Sequence, residues 1–354
     1  MDDNYLAAPD RYQRQPYRPA GRHGLRLPGI GLGLWHNFGA GSDPATAKAM
    51  VHQAFDLGIT HFDLANNYGP PPGSAELTFG TLLKRSLAPY RDELIIASKA
   101  GYVMWDGPYG DGGSAKYLFA SLHQSLRRLG LDYVDIFYHH RPDPRTPLEE
   151  TCQALALMVR QGKALYIGVS EWTADQIRRG HALARELRIP FVSNQPQYNL
   201  LWRVIEPEVV PTCAELGIGQ VVWSPLAQGV LTGKYAPGQP LPEGSRATDA
   251  AGGAAMMKHL LKDELLATVA RLAELADQAG VPLHHLALKW VVEQPTITAA
   301  IIGASRPEQV ADNVRALAVE LDPALVAQVD EVLGDSVKRD PSLTRSPHRI
   351  AEFG

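Results

Sequence analysis

The chain has 354 residues, 45% hydrophobic and 20% charged, with a net charge of −4 and two cysteines. That length buries a sizeable core as one large α/β domain or two ordinary ones, and without a long basic block nucleic acid is a poor partner. Cys152 and Cys213 lack metal-ligand spacing and read as reduced thiols of a cytoplasmic protein; the polar amino-terminal stretch does not read as a signal peptide, and no apolar run approaches membrane-spanning length.

In chain order, residues 1–16 read as an extended arm and 17–28 as a β-hairpin turning near Gly21 to Gly24. A glycine-rich strand at 29–34 ends at Trp35. Asp43-Pro44 then opens a helix with Ala47, Met50, Val51, Ala54 and Phe55 on one face, stopped by Gly58. The same grammar repeats. Strand 59–64 leads to helix 74–87, 94–98 to 114–129, 133–138 to 147–161, 165–169 to 173–187, and 191–194 to 206–216. Strand 220–223 runs into a long glycine-, proline- and alanine-rich segment, 227–262, then helices at 263–279 and 282–293. A last strand at 299–302 precedes helices at 306–317 and 323–333.

Eight strand–helix units without a break in composition predict an α/β fold, a single (β/α)8 TIM barrel over 17–334 with an N-terminal β-hairpin and extra C-terminal helices. A doubly wound sheet with a second domain is the alternative. Segment 227–262 exceeds a plain connection and reads as a lid, a binding loop or a disordered stretch. The polar tail, 335–354, is expected either to be mobile or to dock on another subunit.

A barrel carries its chemistry at the carboxyl ends of its strands. Those positions hold Trp35, Asp63 with Tyr68, Lys99, His140, Ser170, Asn194 with Gln195, Trp223 with Ser224, and Ser305. Lys99 ends an apolar strand, where an inward lysine is costly unless paired, and Asp63 is the natural partner. A phenol beside such an ammonium is expected to have its pKa lowered from about 10, which would let Tyr68 protonate a developing alkoxide. Each residue alone has a plainer reading: a turn carboxylate, a rim tyrosine, an incidental His139-His140 doublet. Asp63 with the histidines could supply part of a zinc site, as in a metal-dependent hydrolase, but a lysine in the same layer and no third strand-end histidine argue against one, so no metal is expected. Gly29-Ile-Gly31-Leu-Gly33 lacks the full G-x-G-x-x-G spacing and opens no helix, which rejects a dinucleotide-fold fingerprint. Gly303-Ala-Ser305-Arg306-Pro307, a strand-to-helix turn beside an arginine, is either a phosphate site or an ordinary N-cap by Ser305.

Taken in order, Asp63-Leu-Ala-Asn-Asn-Tyr68, Lys99 and His140-Arg-Pro142 resemble the catalytic tetrad of the aldo-keto reductase superfamily. Ser193-Asn-Gln-Pro-Gln-Tyr-Asn-Leu200, Trp223-Ser-Pro-Leu-Ala-Gln-Gly229 and Ile302-Gly-Ala-Ser305 extend the likeness over nearly the whole chain. Within the superfamily, Phe62 to Glu76 and Trp35-His-Asn-Phe38 are similar to the branch that holds bacterial L-glyceraldehyde-3-phosphate reductases and potassium-channel β subunits.

The resemblance implies an NADPH-dependent reductase of short polar aldehydes, such as glyceraldehyde 3-phosphate or methylglyoxal. It implies Tyr68 as proton donor, Lys99 and Asp63 as its tuning pair, and His140 to orient the carbonyl. His140 is preferred to His139 because it fits the family's His-x-Pro pattern. Cofactor contacts implied are Trp35, Asp63, Ser170, Asn194, Gln195, Trp223, Ser224, Pro225, Leu226, Gln228, Lys234, Arg246, Gly303, Ser305, Arg306, Gln309, Asp312 and Asn313. Glu171 stands where several relatives carry Asn, and Asp312 where Glu is usual. Trp35, Tyr68, Trp105, His140 and Arg141 are expected around the substrate, with Arg141 a rim charge or a phosphate contact. The implied setting is cytoplasmic, as a homo-oligomer of four or more subunits without membrane insertion. The alternative from another class is a nicotinamide-binding regulatory subunit of a membrane channel with weak reductase activity, and a complete tetrad that includes His140 favours the enzyme.

Overall fold

The alternation along the chain resolves, in a computed structural model that describes residues 4–249 and 253–344, into strands that pair with their sequence neighbours. Strands β1 (Tyr17–Pro19) and β2 (Arg26–Pro28) form the antiparallel hairpin. The next eight strands are β3 (Ile30–Gly33), β4 (His61–Asp63), β5 (Ile95–Ala100), β6 (Val134–His139), β7 (Ala164–Ser170), β8 (Phe191–Gln195), β9 (Gly219–Trp223) and β10 (Ile297–Ile302). All pair in parallel, and β10 pairs with β3 to close the barrel. The fold is a (β/α)8 TIM barrel, as the alternation predicts.

The helices around it are α1 (Pro44–Asp56), α2 (Ser74–Leu82), α3 (Ala115–Leu129), α4 (Leu148–Arg160), α5 (Ala174–Glu186) and α6 (Val209–Leu216). They continue with α7 (Gly253–Met257), α8 (Asp263–Gln278), α9 (Leu283–Glu293), α10 (Pro307–Arg315) and α11 (Pro323–Leu333). Local chemistry sets their ends. The Asp43 carboxylate accepts from the amides of Ala45 and Thr46 at the start of α1, with Pro44 as its first residue. Thr173 and Gln176 form a capping box on α5, and Gly130 ends α3 in a left-handed conformation.

Two elements differ from expectation. The helix expected over 74–87 is α-helical only to Leu82 and continues as a π-turn, Leu83–Leu87, where Ser86 donates to the Leu82 carbonyl. The helix expected from 206 begins at Val209, because Glu206 sits in a preceding turn with its carboxylate held by Tyr198 and Arg339.

The core has two parts. The larger lies between strands and helices, and its apolar stripes include Met50, Val51 and Phe55 of α1 and Leu118, Leu122 and Leu126 of α3. The smaller fills the barrel lumen with Ala97, Ile136, Tyr138, Val221, Ala299 and Ile301, joined by Ala20, Leu25 and Leu27 of the hairpin. The hairpin therefore plugs the amino-terminal mouth. Arg22 donates its amide to the Gly217 carbonyl just before β9, and Arg18 reaches the carbonyls of Val292 and Ile297 at the entry to β10. The glycine run belongs to the same packing: a Cβ on Gly31 or Gly33 would lie 2.8 or 2.7 Å from Ile301.

The amino-terminal arm is not simply extended. Residues Arg11–Gln13 form a 3-10 turn, and Tyr5 and Ala8 both donate to Asp56 at 2.8 Å, tying the arm to α1. The carboxyl-terminal stretch docks on its own barrel as far as residue 344. The Arg203 amide donates to the Lys338 carbonyl at 2.7 Å, and the Lys338 amide donates to the Leu201 carbonyl at 2.9 Å. The remainder of the expected tail, 345–354, lies outside the described residues. Both cysteines are buried and free, and among the described residues no helix is long and apolar enough to cross a membrane.

Candidate active site

Asp63 is the last residue of β4, and the parallel register sets it beside Gly33 on one side and Ala97 on the other. Two residues beyond Ala97, Lys99 projects from β5 with no exposed surface. Its ammonium donates to Asp63 Oδ2 at 2.6 Å, to the Leu64 carbonyl at 2.8 Å and to the Tyr68 hydroxyl at 3.2 Å, which uses all three of its protons. The other oxygen of Asp63 accepts from Gln195 Nε2 at 2.9 Å. A buried charge pair of this kind is tolerable only when the remaining lone pairs and protons are satisfied, and here they are.

Tyr68 is carried on the β4–α2 loop rather than on a strand. Its carbonyl accepts from the amides of Gly73 and Ala75, at 3.0 and 3.3 Å, which ties the loop to the start of α2. The prolines between close the segment into a short turn. Beyond β6, His140 packs edge-on to Tyr68 with ring centres 5.9 Å apart, and to Tyr102 at 4.7 Å. Its Nδ1 is buried without a hydrogen-bond partner among the described residues.

The electrostatics follow from burial. His140 is held well below the usual imidazole value by desolvation, then by the cations Lys99 and Arg141, so it is a neutral ring at physiological pH. Desolvation also lowers Lys99, against the pull of Asp63. The expected acidification of Tyr68 does not hold in this site. Burial pushes the phenol well above its ordinary value, and the carboxylates Asp63 and Glu171 act in the same direction. The sequence shows the cation beside the phenol but not that Lys99 is fully enclosed and Tyr68 partly buried.

Most of the other expected residues gather on the same face. Trp35 lies 6.3 Å from the Tyr68 ring, and Trp105, on the β5–α3 loop, packs on Tyr117. Ser170 ends β7 and donates to the Gln195 carbonyl at 2.6 Å, while half-buried Trp223 ends β9. The connection after β9 is described through residue 249. Ser224, Ala227 and Gln228 take left-handed backbone conformations, an uncommon choice for non-glycine residues and one that concentrates at functional sites. Pro225 is buried between them, next to half-exposed Leu226. Gln228 bonds Ser224 and accepts from Arg246, whose guanidinium stacks 5.0 Å over the Trp35 ring. Asp249 pairs with His36 at 3.5 Å. The segment thus forms a strap from the end of β9 to the end of β3; residues 250–252 of the expected lid lie outside the described residues.

At the end of β10, Gly303, Ser305 and Arg306 are exposed, and both the amide and the hydroxyl of Ser305 donate to Gln309 Oε1. Arg306, not Ser305, is the residue that precedes α10, and it makes no side-chain cap. Lys234 is likewise exposed, and neither cation has an ion pair among the described residues.

Three expected residues are placed differently. Asn194 has no exposed surface and donates to Gln220 at 3.1 Å, so it faces the helix layer while its neighbour Gln195 turns to Asp63. Strand alternation allows only one of the two to reach the mouth. Arg141 is no rim charge: it is 3% exposed, donates to the Gly101 carbonyl and to Asp111 Oδ1 at 2.6 and 2.7 Å, and stacks on Tyr102. Asp312 is taken up by His284, His285 and Arg315. Conversely, Tyr102 and Glu171 lie near enough to act electrostatically on the Tyr68 phenol, a role local sequence does not reveal. Tyr102 follows Lys99 by three residues on the β5 loop, a position that could have drawn attention.

A parallel barrel whose mouth joins an acid, a lysine, a phenol and a neutral imidazole defines a class. The chain belongs to the Aldo/keto reductase family, whose model matches residues 29–334, and it is an oxidoreductase of that family. It is 48% identical over 334 residues to the L-glyceraldehyde 3-phosphate reductase of Escherichia coli (strain K12), covering 94% of this chain and 96% of that protein. It is also 37% identical over 333 residues to a protein of Oryza sativa subsp. japonica named "Probable voltage-gated potassium channel subunit beta", covering 92% and 99%. A protein of the same name in Arabidopsis thaliana is 36% identical over 333 residues, covering 92% and 99%.

Proposed function

We propose that this chain reduces short polar aldehydes, such as glyceraldehyde 3-phosphate or methylglyoxal, to alcohols with NADPH. The observation that carries the reading is the continuous contact from Gln195 through Asp63 and Lys99 to Tyr68, with neutral His140 beside the phenol.

NADPH, when bound, supplies the hydride. The protein handles the charge that then grows on the carbonyl oxygen. Tyr68 gives that oxygen its proton, and because burial holds the phenol pKa high, the proton stays on Tyr68 until an alkoxide forms. Lys99, already donating to the phenol oxygen, stabilises the phenolate left behind. Asp63 fixes the direction of the ammonium, and Gln195 fixes Asp63. His140 offers a neutral N–H to the carbonyl oxygen and orients it without competing for the proton.

The residues suit the cofactor. Trp223, half-buried at the end of β9, would offer a flat ring for the nicotinamide, and Ser170 and Gln195, bonded to each other, would meet its carboxamide. Ser224, Leu226, Gln228 and Lys234 would hold the pyrophosphate under the strap that Arg246 fastens. Ser305, Arg306, Gln309 and Asn313 would take the adenosine end, where Arg306, without an ion pair among the described residues, suits an extra phosphate. The similarity to an L-glyceraldehyde 3-phosphate reductase supports a small phosphorylated aldehyde as substrate.

Steady-state reduction of a panel of phosphorylated and unphosphorylated aldehydes, with NADPH and NADH in parallel, tests the reading. The highest kcat/KM is expected with NADPH and a three-carbon phosphorylated aldehyde. Failure to reduce any member with either cofactor would defeat it.

A further inference from the structure

Outside the barrel mouth, α9 and α10 bring together a second group of chemistry-bearing residues that the reductase reading does not use as catalysts. His284 and His285 are consecutive in the first turn of α9, and Asp312 faces them from α10. His284 Nε2 lies 2.7 Å from Asp312 Oδ2 and His285 Nε2 lies 3.1 Å from Asp312 Oδ1. The two imidazole rings, 4.4 Å apart, converge on one carboxylate, and one ligand-type atom from each residue lies within 4.8 Å of the others.

We propose that His284, His285 and Asp312 form a binding site for a late divalent transition-metal ion such as Zn2+, which clips α9 to α10. Zinc bound at about 2.0–2.2 Å in a tetrahedron holds its donor atoms roughly 3.3–3.5 Å apart. To reach that spacing the His284 Nε2 to Asp312 Oδ2 distance opens from 2.7 Å, while all three donor atoms already lie within 4.8 Å of one another. Two imidazoles with one carboxylate suit zinc, copper or nickel, whereas magnesium and calcium require an oxygen-rich shell. Arg315 donates to Asp312 Oδ1 at 2.6 Å, which leaves Oδ2 for the ion and fixes the carboxylate from outside. The side chains are 22%, 9% and 34% exposed, so an ion can enter and water can complete its fourth position. By contrast, Asp63 in the barrel mouth is already held by Lys99.

Without a metal, the same residues would simply hydrogen-bond across the two helices. The decisive experiment titrates the purified full-length protein with Zn2+ against a chromophoric chelator, with Mg2+ as control. The variants are His284→Gln and the double variant His284→Gln/His285→Gln, in which the amides can still bond Asp312. The wild type should take up one Zn2+ and no Mg2+, and His284→Gln should bind it at least tenfold more weakly. X-ray absorption of the one-equivalent adduct should show two imidazoles, and zinc should raise the Tm of the wild type but not of the double variant. Equal zinc affinity in wild type and double variant, or an adduct without imidazole ligands, would overturn the proposal. The melting temperatures of the zinc-free variants show whether each still folds.

Discussion

The Lys99 ammonium addresses Tyr68 twice, donating to its hydroxyl at 3.2 Å and standing 4.8 Å from the centre of its ring. One cation thus stabilises both the oxygen that would become phenolate and the negative face of the aromatic system. The contact is available before any reaction and strengthens as charge appears on the oxygen, which is the behaviour required of a group that favours a transition state over a ground state.

Replacing Tyr68 by Phe removes the proton and keeps the ring. Aldehyde reduction should fall by at least 10²-fold in kcat, while NADPH affinity, read by quenching of tryptophan fluorescence, stays near wild type. Turnover close to wild type in Tyr68→Phe would sink the assignment of the donor.

Lys99→Met tests the pair from the other side. It strands the Asp63 carboxylate, only 2% exposed, with Gln195 as its remaining side-chain donor. Removing one partner of a buried ion pair costs roughly 3–5 kcal/mol. Both the urea midpoint and kcat should therefore drop. Adding Asp63→Asn should recover much of the stability and none of the activity.

Arg141→Ala discriminates a structural arginine from a substrate phosphate contact. Because its guanidinium is buried against Asp111 and Gly101, the substitution should lower stability by about 3 kcal/mol or more. It should reduce kcat/KM for phosphorylated and unphosphorylated aldehydes alike. A loss confined to phosphorylated substrates would restore the phosphate role.

Stability should depend on pH through two buried histidines. His61 and His139 are both lowered to about 4, chiefly by desolvation, and His139 Nδ1 accepts from Trp172. In an unfolded chain a histidine takes up its proton near 6.5, so between that value and 4 the unfolded state binds more protons than the folded one. Their contribution is complete above about 6.5 and is lost as pH falls toward 4, on the order of 3 kcal/mol for each. Urea midpoints at pH 7, 6, 5 and 4 check the slope, and His61→Leu should flatten it. A midpoint independent of pH across that range would contradict the expected burial.

Strand and helix alternation made the barrel legible because each unit must bury one face of a helix on one face of a strand. The same regularity placed Asp63, Lys99, His140 and Trp223 at strand ends. What local sequence does not carry is orientation across the sheet. Asn194 and Gln195 are adjacent amides of like chemistry, yet only Gln195 meets Asp63. Nor does it carry enclosure. Arg141 reads as a rim cation until Asp111, thirty positions earlier on another loop, is brought against it, and Tyr68 reads as acidified until the walls that desolvate it are in place. His284, His285 and Asp312 show the same limit, since two turns of different helices converge only once α10 packs beside α9.

The hairpin at the foot of the barrel makes the lumen a blind well. Ala20, Leu25 and Leu27 seal it from below, and the apolar layer from Ala97 to Ile301 fills the shaft above them. Among the described residues, this apolar packing separates the Lys99–Tyr68 pair from the amino-terminal end of the barrel. If Tyr68 is the proton donor proposed above, the open route for its resupply is the carboxyl-end mouth, past His140 and the strap that Arg246 holds over Trp35. On that reading, substrate and replacement proton would enter by the same doorway.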